Sequence, residues 1–416
     1  MRDFVRAVNA RRQVPHSDLN SQVKRVAVML SSSRAGSSLI KHVLAAHPDI
    51  AALDGEIGPY LALTENGFGF NSDSDAIGEL ANMRELADNI FDDLSVPVAE
   101  IQPFAPLRTR WERRLMLQFP TLFTQGGAPQ KLMENLDEAL LHVKTSPSLR
   151  EEKELQKIIL SKVFSQEPWR INYYDGQSGH PKNGASAYFD EPFKIEEPPF
   201  IMPKLYRRQF TSADAGNKIL LFKTPSDAYR LGMYEQLFPN AEIKYIHLNR
   251  AFAQSVNGLM DGWLSPVGFF AHDMERVGVQ LEIKGYSDCT SFSKRWWKFD
   301  LPPNWREFRN ANLEDVCLNQ WLSSHRAILA SEITTLRLSF EEFITAPAVV
   351  AKKVTDYLGL AEMKIPLTLP VTMATDAPQS GRWIKREQLL LTLAKQPQVK
   401  AMMDELGYSM RPETWL

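Results

Sequence analysis

The sequence is poor in cysteine and has no long apolar run. Cys289 and Cys317 are its two cysteines in 416 residues. Two cysteines cannot build a disulfide framework, and the absence of a CxxC pair argues against a structural zinc site. No stretch reaches the roughly 18 consecutive apolar residues of a membrane span, and residues 1–10 lack the apolar core of a signal peptide. We expect a cytoplasmic protein with no metal and no integral membrane segment.

The chain also lacks an excess of charge of either sign. It has 48 Lys and Arg against 50 Asp and Glu, for a formal net charge of −2. A nearly neutral protein has no overall field that would attract nucleic acid or a polyanionic sugar chain. The composition, 44% hydrophobic and 24% charged, is that of an ordinary globular protein. Any site for an anion must therefore be built locally.

Short apolar runs alternate with segments of helical spacing. Strands are predicted at 23–30, 218–223, 242–248 and 335–340, and helices at 39–46, 227–237, 254–260, 313–331 and 348–358. Strands that alternate with helices indicate an α/β fold, in which a central, mostly parallel sheet is flanked by helices.

Two stretches break this alternation. Residues 60–215 are long and heterogeneous, and residues 261–311 are rich in aromatic side chains. We interpret both as large insertions into one domain that spans 23–416, preceded by a loosely held arm at 1–22. Long aromatic loops beside an α/β core commonly serve binding, so 261–311 is predicted to form part of a mobile lid.

The strongest local signal lies between the first predicted strand and helix, where residues 31–39 read SSSRAGSSL. Backbone N–H groups at a helix N-terminus attract an anion. Gly36 permits close backbone approach, Arg34 brings a permanent charge, and Ser37 and Ser38 bring hydroxyl donors. The alternative is a serine-rich turn that only caps the helix. The kinase pattern GxxxxGK[ST] is absent.

The run Arg34-Ala35-Gly36-Ser37-Ser38-Leu39, followed by His47-Pro48, resembles the 5′-phosphosulfate loop of sulfotransferases that use 3′-phosphoadenosine 5′-phosphosulfate (PAPS). One position departs from that pattern, because Ser33 stands where the family has proline. Four further stretches resemble family motifs in the same order: 221–225, 238–250, 338–360 and 380–386. The resemblance implies a P-loop-like sulfotransferase core.

The resemblance also assigns residues to the nucleotide. The loop from Arg34 to Leu39 would hold the 5′-phosphosulfate, and Arg250 would hold the 3′-phosphate. The family's serine eight residues after that arginine is Gly258 here, which leaves Ser255, Asn257 and the Gly258 backbone as alternatives for the second contact. The C-terminal 3′-phosphate loop would comprise Gly381, Arg382, Trp383 and Lys385. Trp383 would stack on adenine, or else belong to the core.

The base that takes the acceptor proton is less clearly marked. Family members with a histidine base carry it directly after the Lys-Thr strand end, and that position is Pro225 here. A second branch uses a glutamate after the first helix, which matches Glu56. Asp54 and His272 are the alternatives. By the same resemblance, Lys223 and Arg34 would stabilise charge on the transferred and leaving groups.

The sequence thus predicts a PAPS-dependent sulfotransferase that acts on a hydroxyl of a small-molecule, lipid or glycoside acceptor, as in natural-product biosynthesis. The aromatic insertions favour a partly apolar acceptor, and the protein is expected to be a monomer or homodimer. Two alternatives stay open: a P-loop kinase-like phosphotransferase, and a catalytically inactive module that binds adenosine 3′,5′-bisphosphate (PAP).

Overall fold

The computed structural model describes residues 1–145, 151–174, 193–266, 268–290, 292–366, 368–369 and 381–415. The strands are β1 Arg25–Leu30, β2 Ile50–Ala52, β3 Ser95–Pro97, β4 Arg207–Gln209, β5 Ile219–Lys223, β6 Glu242–Asn249, β7 His272–Asp273, β8 Trp296–Trp297 and β9 Thr335–Ser339. Seven of them form a central sheet in the order β4-β3-β2-β5-β1-β6-β9. Strands β2, β5, β1, β6 and β9 are parallel, and β3 is antiparallel to both its neighbours. The predicted α/β fold with a mostly parallel sheet is confirmed.

Helices flank this sheet. They are α1 Arg2–Arg12, α2 Leu19–Gln22, α3 Ser37–Leu44, α4 Gly58–Leu63, α5 Met83–Asp93, α6 Phe104–Gln118, α7 Pro120–Phe123, α8 Ala128–Thr145, α9 Glu152–Val163, α10 Ser212–Ala215, α11 Met233–Leu237, α12 Phe252–Leu264, α13 Leu313–Ala330, α14 Phe340–Thr345, α15 Pro347–Leu358, α16 Glu387–Ala394 and α17 Pro397–Glu405. Within the described ranges, no helix is both long enough and apolar enough to cross a membrane.

The strands and helices that the sequence predicts lie within a few residues of observed elements, with one clear error. The helix predicted at 227–237 is instead a 3₁₀ turn, Pro225–Tyr229, followed by the short helix α11. Arg230 separates the two with a non-helical backbone, and its side chain donates a hydrogen bond to Asp227 at 2.8 Å. A local side-chain bond of this kind competes with helix continuation.

Strand β1 shows why a continuous apolar run becomes a central strand. Val26, Val28 and Leu30 face one hydrophobic core, whereas Ala27 and Met29 face a second core on the other side of the sheet. All five side chains are buried. Successive residues of a strand point to opposite faces, so a strand covered on both sides must be apolar at every position.

The first 22 residues are not the loosely held arm that their composition suggests. They contain α1, whose Val5 and Val8 are each 1% exposed. At the end of the helix, the Arg12 side chain donates a hydrogen bond to Asn89, and Arg113 donates to the Arg12 carbonyl at 2.9 Å. Val5 and Val8 are three residues apart and share a helix face, so burying that face fixes the segment.

Both predicted insertions contribute to the body of the protein. Residues 60–215 supply β3 and β4 to the edge of the sheet. In 261–311, Trp263, Trp297 and Trp305 are each 0% exposed and belong to the largest hydrophobic core. The expected lid is therefore wrong for these tryptophans. Their indole N–H groups all have partners, which lets such large rings be buried at low cost.

Candidate functional site

The carboxyl ends of three adjacent parallel strands meet at one edge of the sheet. Strand β1 leads into residues 31–36, β5 ends at Lys223, and β6 ends one residue before Arg250. In open α/β sheets, ligands bind beyond the carboxyl ends of the strands. The sheet therefore brings together the predicted phosphate loop, the strand-end lysine and the 3′-phosphate arginine.

The phosphate loop is tightly constrained by its surroundings. Gly36 has φ +90°, and a Cβ atom on it would lie 2.1 Å from the ring of Phe340. Both facts require glycine at the start of α3. The hydroxyl oxygens of Ser31 and Ser32 are buried and have no hydrogen-bond partner among the described residues. A buried donor without a partner is costly, which favours a ligand that accepts from it.

Two arginines meet beside this loop. The Nη1 atom of Arg250 donates to the Arg34 carbonyl at 3.1 Å. The Arg34 guanidinium lies 5.2 Å from the ring centroid of Phe269, and the Arg250 guanidinium lies 4.6 Å from that of Phe340. Burial, together with the neighbouring positive charges of Arg250 and Arg382, lowers the pKa of Arg34 to about 10. The Arg34 guanidinium is therefore buried with other cations nearby, a setting that favours a bound anion.

Helix α12 covers the loop from the other side. A Cβ atom on Gly258 would lie 3.3 Å from Cβ of Arg34, so the glycine allows this close approach. Ser255, three residues earlier on the same helix face, is 0% exposed, and its hydroxyl has no partner in the described part of the chain. Asn257 instead accepts a hydrogen bond from Arg386 at 2.5 Å. Three groups were considered for the second 3′-phosphate contact. Ser255 is the one whose buried polar side-chain atom has no partner among the described residues, which favours it over Asn257.

The C-terminal basic segment is held by a carboxylate that the sequence did not single out. Asp261 on α12 forms ion pairs with Arg382 at 2.8 Å, Lys385 at 2.7 Å and Arg386 at 2.7 Å. Burial opposes ionisation of Asp261, but Lys385 and Arg386 hold its pKa below the ordinary value. The sequence analysis also assigned no role to Arg386, which lies within the stretch 380–386 that resembles a family motif. Ser380 lies outside the described residues.

Gly381 and Trp383 belong to the same segment but have different surroundings. Gly381 has φ +69°, a conformation that glycine adopts readily. Trp383 is 5% exposed, lies 5.3 Å from the ring of Trp415, and donates its indole N–H to the Trp415 carbonyl at 2.9 Å. This environment fits the core alternative for Trp383, and stacking on adenine stays a prediction.

The candidate base lies beside the strand-end lysine. Glu56 forms an ion pair with Lys223, whose side chain is 4% exposed, whereas that of Glu56 is 37% exposed. The backbone N–H of Ile57 donates to the Thr224 hydroxyl at 3.3 Å, which anchors the Glu56 loop to the end of β5. The pair Glu56–Lys223 therefore has one partner fixed in the interior and the other open to solvent.

Lys41 supports this loop from below, and the sequence analysis did not anticipate its role. It is 9% exposed, and its Nζ donates to the Gly55 carbonyl at 2.7 Å. Burial and the neighbouring charge of Lys223 lower the pKa of Lys41 to about 7. The sequence shows that Lys41 follows Ser37 by four residues and so shares its face of α3, but that spacing does not indicate the contact with Gly55.

The two alternative bases have different surroundings. The Asp54 side chain is 1% exposed and forms an ion pair with Arg110 at 2.5 Å. Burial opposes ionisation, but Arg110, Arg207 and Lys204 keep the pKa of Asp54 below its ordinary value. His272 is hydrogen-bonded through Nε2 to Asp75 at 2.9 Å. Asp54 is thus held in an ion pair, whereas the other ring nitrogen of His272 has no hydrogen-bond partner among the described residues.

Asp300, another residue that the sequence did not single out, fixes the start of the phosphate loop. It is 2% exposed and accepts hydrogen bonds from Ser33 at 2.5 Å and from the Tyr229 hydroxyl at 2.9 Å. Burial raises the pKa of Asp300 from 3.8 to about 6, against the opposing effect of these hydrogen bonds.

We predict that Asp300 makes the protein less stable as the pH rises from 4 to 6. The folded state holds the Asp300 proton more tightly than the unfolded state, so this contribution is present below the unfolded pKa and is lost as the pH passes the folded pKa. A shift of this size corresponds to about 3 kcal/mol. Urea unfolding across this range should show the fall in the wild type relative to Asp300→Asn. The exposed Asp288→Asn is the control, and parallel profiles for wild type and Asp300→Asn would contradict the assignment.

Among the residues that the structure describes, no group of three His, Cys, Asp or Glu side chains is placed to hold a metal ion. The cationic and hydroxyl groups around Arg34 and Arg250 instead suit an anionic organic ligand.

Comparison with known proteins gives likenesses of structure alone. No protein-family model matches the sequence, and no curated protein matches it. A sulfotransferase domain from the curacin biosynthetic pathway is 14% identical, with a TM-score of 0.36 over 93% of this chain and 99% of that chain. A sulfotransferase domain from the Synechococcus PCC 7002 olefin synthase is 14% identical, with a TM-score of 0.31 over 97% and 94%. A sulfotransferase from Alicyclobacillus acidocaldarius is 11% identical, with a TM-score of 0.35 over 93% and 97%.

Proposed function

We propose that this protein is a sulfotransferase that moves a sulfuryl group from PAPS to a hydroxyl of a small-molecule, lipid or glycoside acceptor. One observation carries the proposal: Arg34 and Arg250, from the ends of adjacent strands, meet at the N-terminus of α3 through the 3.1 Å hydrogen bond. A nucleotide with phosphate groups at both its 5′ and 3′ ends needs two separate cationic contacts, and this arrangement offers them.

The residues present fit such a nucleotide. Arg34, with the backbone of Ala35, Gly36 and Leu39 and the hydroxyls of Ser37 and Ser38, would hold the 5′ end, because these groups form the α3 N-terminus. Arg250 and Ser255 would hold the 3′-phosphate. The buried hydroxyl of Ser255, which lacks a partner among the described residues, supports this assignment. Arg382 and Lys385 would approach from the C-terminal segment.

The acceptor side of the site would be formed by Glu56 and Lys223. When bound, PAPS supplies an electrophilic sulfur whose bond to the 5′-phosphate oxygen breaks as the bond to the acceptor oxygen forms. Glu56 would accept the proton of the acceptor hydroxyl, and Lys223 would stabilise negative charge on the oxygens around sulfur. Lys41 would position the Glu56 loop through the Gly55 carbonyl.

His272 is the second candidate for the base. Its Nδ1 atom is buried and lacks a partner among the described residues, and Asp75 fixes the ring through Nε2. A carboxylate that orients a histidine in this way is a common arrangement for a general base. Comparing Glu56→Gln with His272→Ala therefore separates the two assignments.

The nucleotide preference tests the proposal. We expect PAP to bind more tightly than AMP and ATP in calorimetric titrations, because only PAP has the 3′-phosphate that Arg250 would contact. At a hundred times its Kd, PAP should stabilise the fold by about 2.7 kcal/mol. Tighter binding of ATP would favour the phosphotransferase alternative. PAP binding without sulfation of any acceptor in a broad screen with labelled PAPS would favour the inactive module.

A further inference from the structure

A second carboxylate, Glu197, lies on the acceptor side of the candidate site. Its chain segment is tied to the Glu56 loop through Arg114. A Cβ atom on Gly55 would lie 3.2 Å from Nη1 of Arg114. The same nitrogen donates to Glu196 at 3.0 Å. Glu197 therefore follows directly after a residue that is anchored against the backbone of the Glu56 loop.

The other end of this segment is tied to the phosphate loop. The Phe269 N–H donates to the Pro198 carbonyl at 2.8 Å, and the ring of Phe269 is the one that lies beneath Arg34. Glu197 thus lies on a short bridge between the loop that carries the candidate base and the residues around the phosphate loop. An acceptor placed between Glu56 and the 5′ end of the nucleotide would pass close to this bridge.

The Glu197 carboxylate is only partly satisfied. Its Oε2 atom is buried and has no hydrogen-bond partner among the described residues. Burial raises the pKa of Glu197, Lys194 opposes the shift, and the charge of Glu56 adds to it. Glu56 therefore lies near enough to Glu197 to affect its ionisation. A buried acceptor without a donor is costly, and a ligand that supplies the donor would recover that cost.

His272 adds a second polar atom of the same kind. His272 lies close enough to influence the ionisation of Glu197, and its Nδ1 is buried without a partner in the described part of the chain. The surroundings are otherwise apolar, since Phe68 packs edge-on against His272 at 5.3 Å and Phe269 stacks on Phe299 at 4.7 Å. An apolar wall with a few fixed polar atoms is typical of a small-molecule site.

We propose that Glu197, assisted by His272, recognises a second hydroxyl of the acceptor, so that the preferred acceptors are diols and not simple alcohols. This inference rests on the proposed function of the Glu56 site. An ammonium group could also donate to Glu197, but Lys194 already acts on this carboxylate and Lys223 already pairs with Glu56. Because each carboxylate already has a cation beside it, a neutral hydroxyl is the donor that the unpartnered Glu197 oxygen lacks.

The test measures equilibrium binding of matched probes to the full-length protein, with and without saturating PAP. One aromatic pair is catechol against 2-methoxyphenol, and one aliphatic pair is octane-1,3-diol against octan-1-ol. A hydrogen bond to a charged group corresponds to roughly tenfold or more in Kd. We expect the diol of at least one pair to bind about tenfold more tightly to the PAP-bound protein.

The Glu197→Gln variant should reduce that diol preference to less than about threefold, whereas the exposed Glu138→Gln should keep it. Retention of the full preference in Glu197→Gln, or equal binding within both pairs by the wild type, would overturn the inference. The Kd for PAP is measured in the same variants and checks that the site is intact. Failure of PAP to bind overturns the proposed function, whereas PAP binding without a diol preference overturns this inference alone.

Discussion

Replacing Glu56 by glutamine should lower kcat about a hundred- to ten-thousand-fold, the usual contribution of a general base. Glutamine keeps the shape of the side chain and removes its ability to take a proton. The Kd for PAP should stay nearly unchanged, since Glu56 pairs with Lys223 on the acceptor side of the site. Single-turnover measurements with labelled PAPS and calorimetric titration with PAP would determine the two quantities.

The exposed Glu405→Gln is the matched control for this experiment, and it should leave both quantities unchanged. Near-normal turnover in Glu56→Gln together with loss of turnover in His272→Ala would transfer the role of base to His272. Asp54→Asn is expected to weaken the fold through the loss of its ion pair with Arg110. Its effect on kcat should therefore accompany a loss of stability, which Glu56→Gln should not show.

Arg250→Met should weaken PAP binding roughly tenfold to a hundredfold, because it removes a charge-assisted contact with the 3′-phosphate. Methionine keeps an unbranched apolar side chain at this position, while the guanidinium that lies over the Phe340 ring is removed. Binding of AMP, which has no 3′-phosphate, should change little. Calorimetric titration of both nucleotides gives the ratio directly, and that ratio should fall towards one in the variant.

The AMP measurement also distinguishes loss of the 3′-phosphate contact from a purely structural change in the phosphate loop. Arg250 donates to the Arg34 carbonyl, so its loss could shift the phosphate loop. A shifted loop would weaken AMP and PAP alike, and equal losses would contradict a specific role in 3′-phosphate binding. Arg306→Met, a change at an arginine paired with Asp73 and half exposed to solvent, is the control.

The pairing of Arg34 with Arg250 shows how far sequence reasoning reaches into this site. Each arginine lies within four residues of the end of a predicted strand, and parallel strands bring their carboxyl ends together. Their convergence therefore follows once the strand order is known. The sequence could not supply that order, because β1 lies between β5 and β6, which begin 189 and 212 residues after its end.

The C-terminal segment shows what could not be predicted from the sequence. Arg382 and Lys385 were expected near a phosphate, but their ion pairs with Asp261 were not foreseen. The contact between Arg386 and Asp261 joins residues 125 positions apart. A lone aspartate on a helix has no local pattern that tells which distant cation it meets. Such pairs depend on how α12 and the C-terminal segment pack.

The sequence by itself determined the alternation of strands and helices, the glycine at the start of α3, and the residue types around the phosphate loop. These features are local, since they follow from side-chain periodicity and backbone conformation. Only the tertiary structure decided that Lys41 supports the Glu56 loop, that Asp300 holds Ser33 across 267 residues of chain, and that the tryptophans of 261–311 are buried. Burial and long-range hydrogen bonding depend on which surfaces the folded chain brings together. The residues next to a given position in the sequence do not determine those long-range contacts.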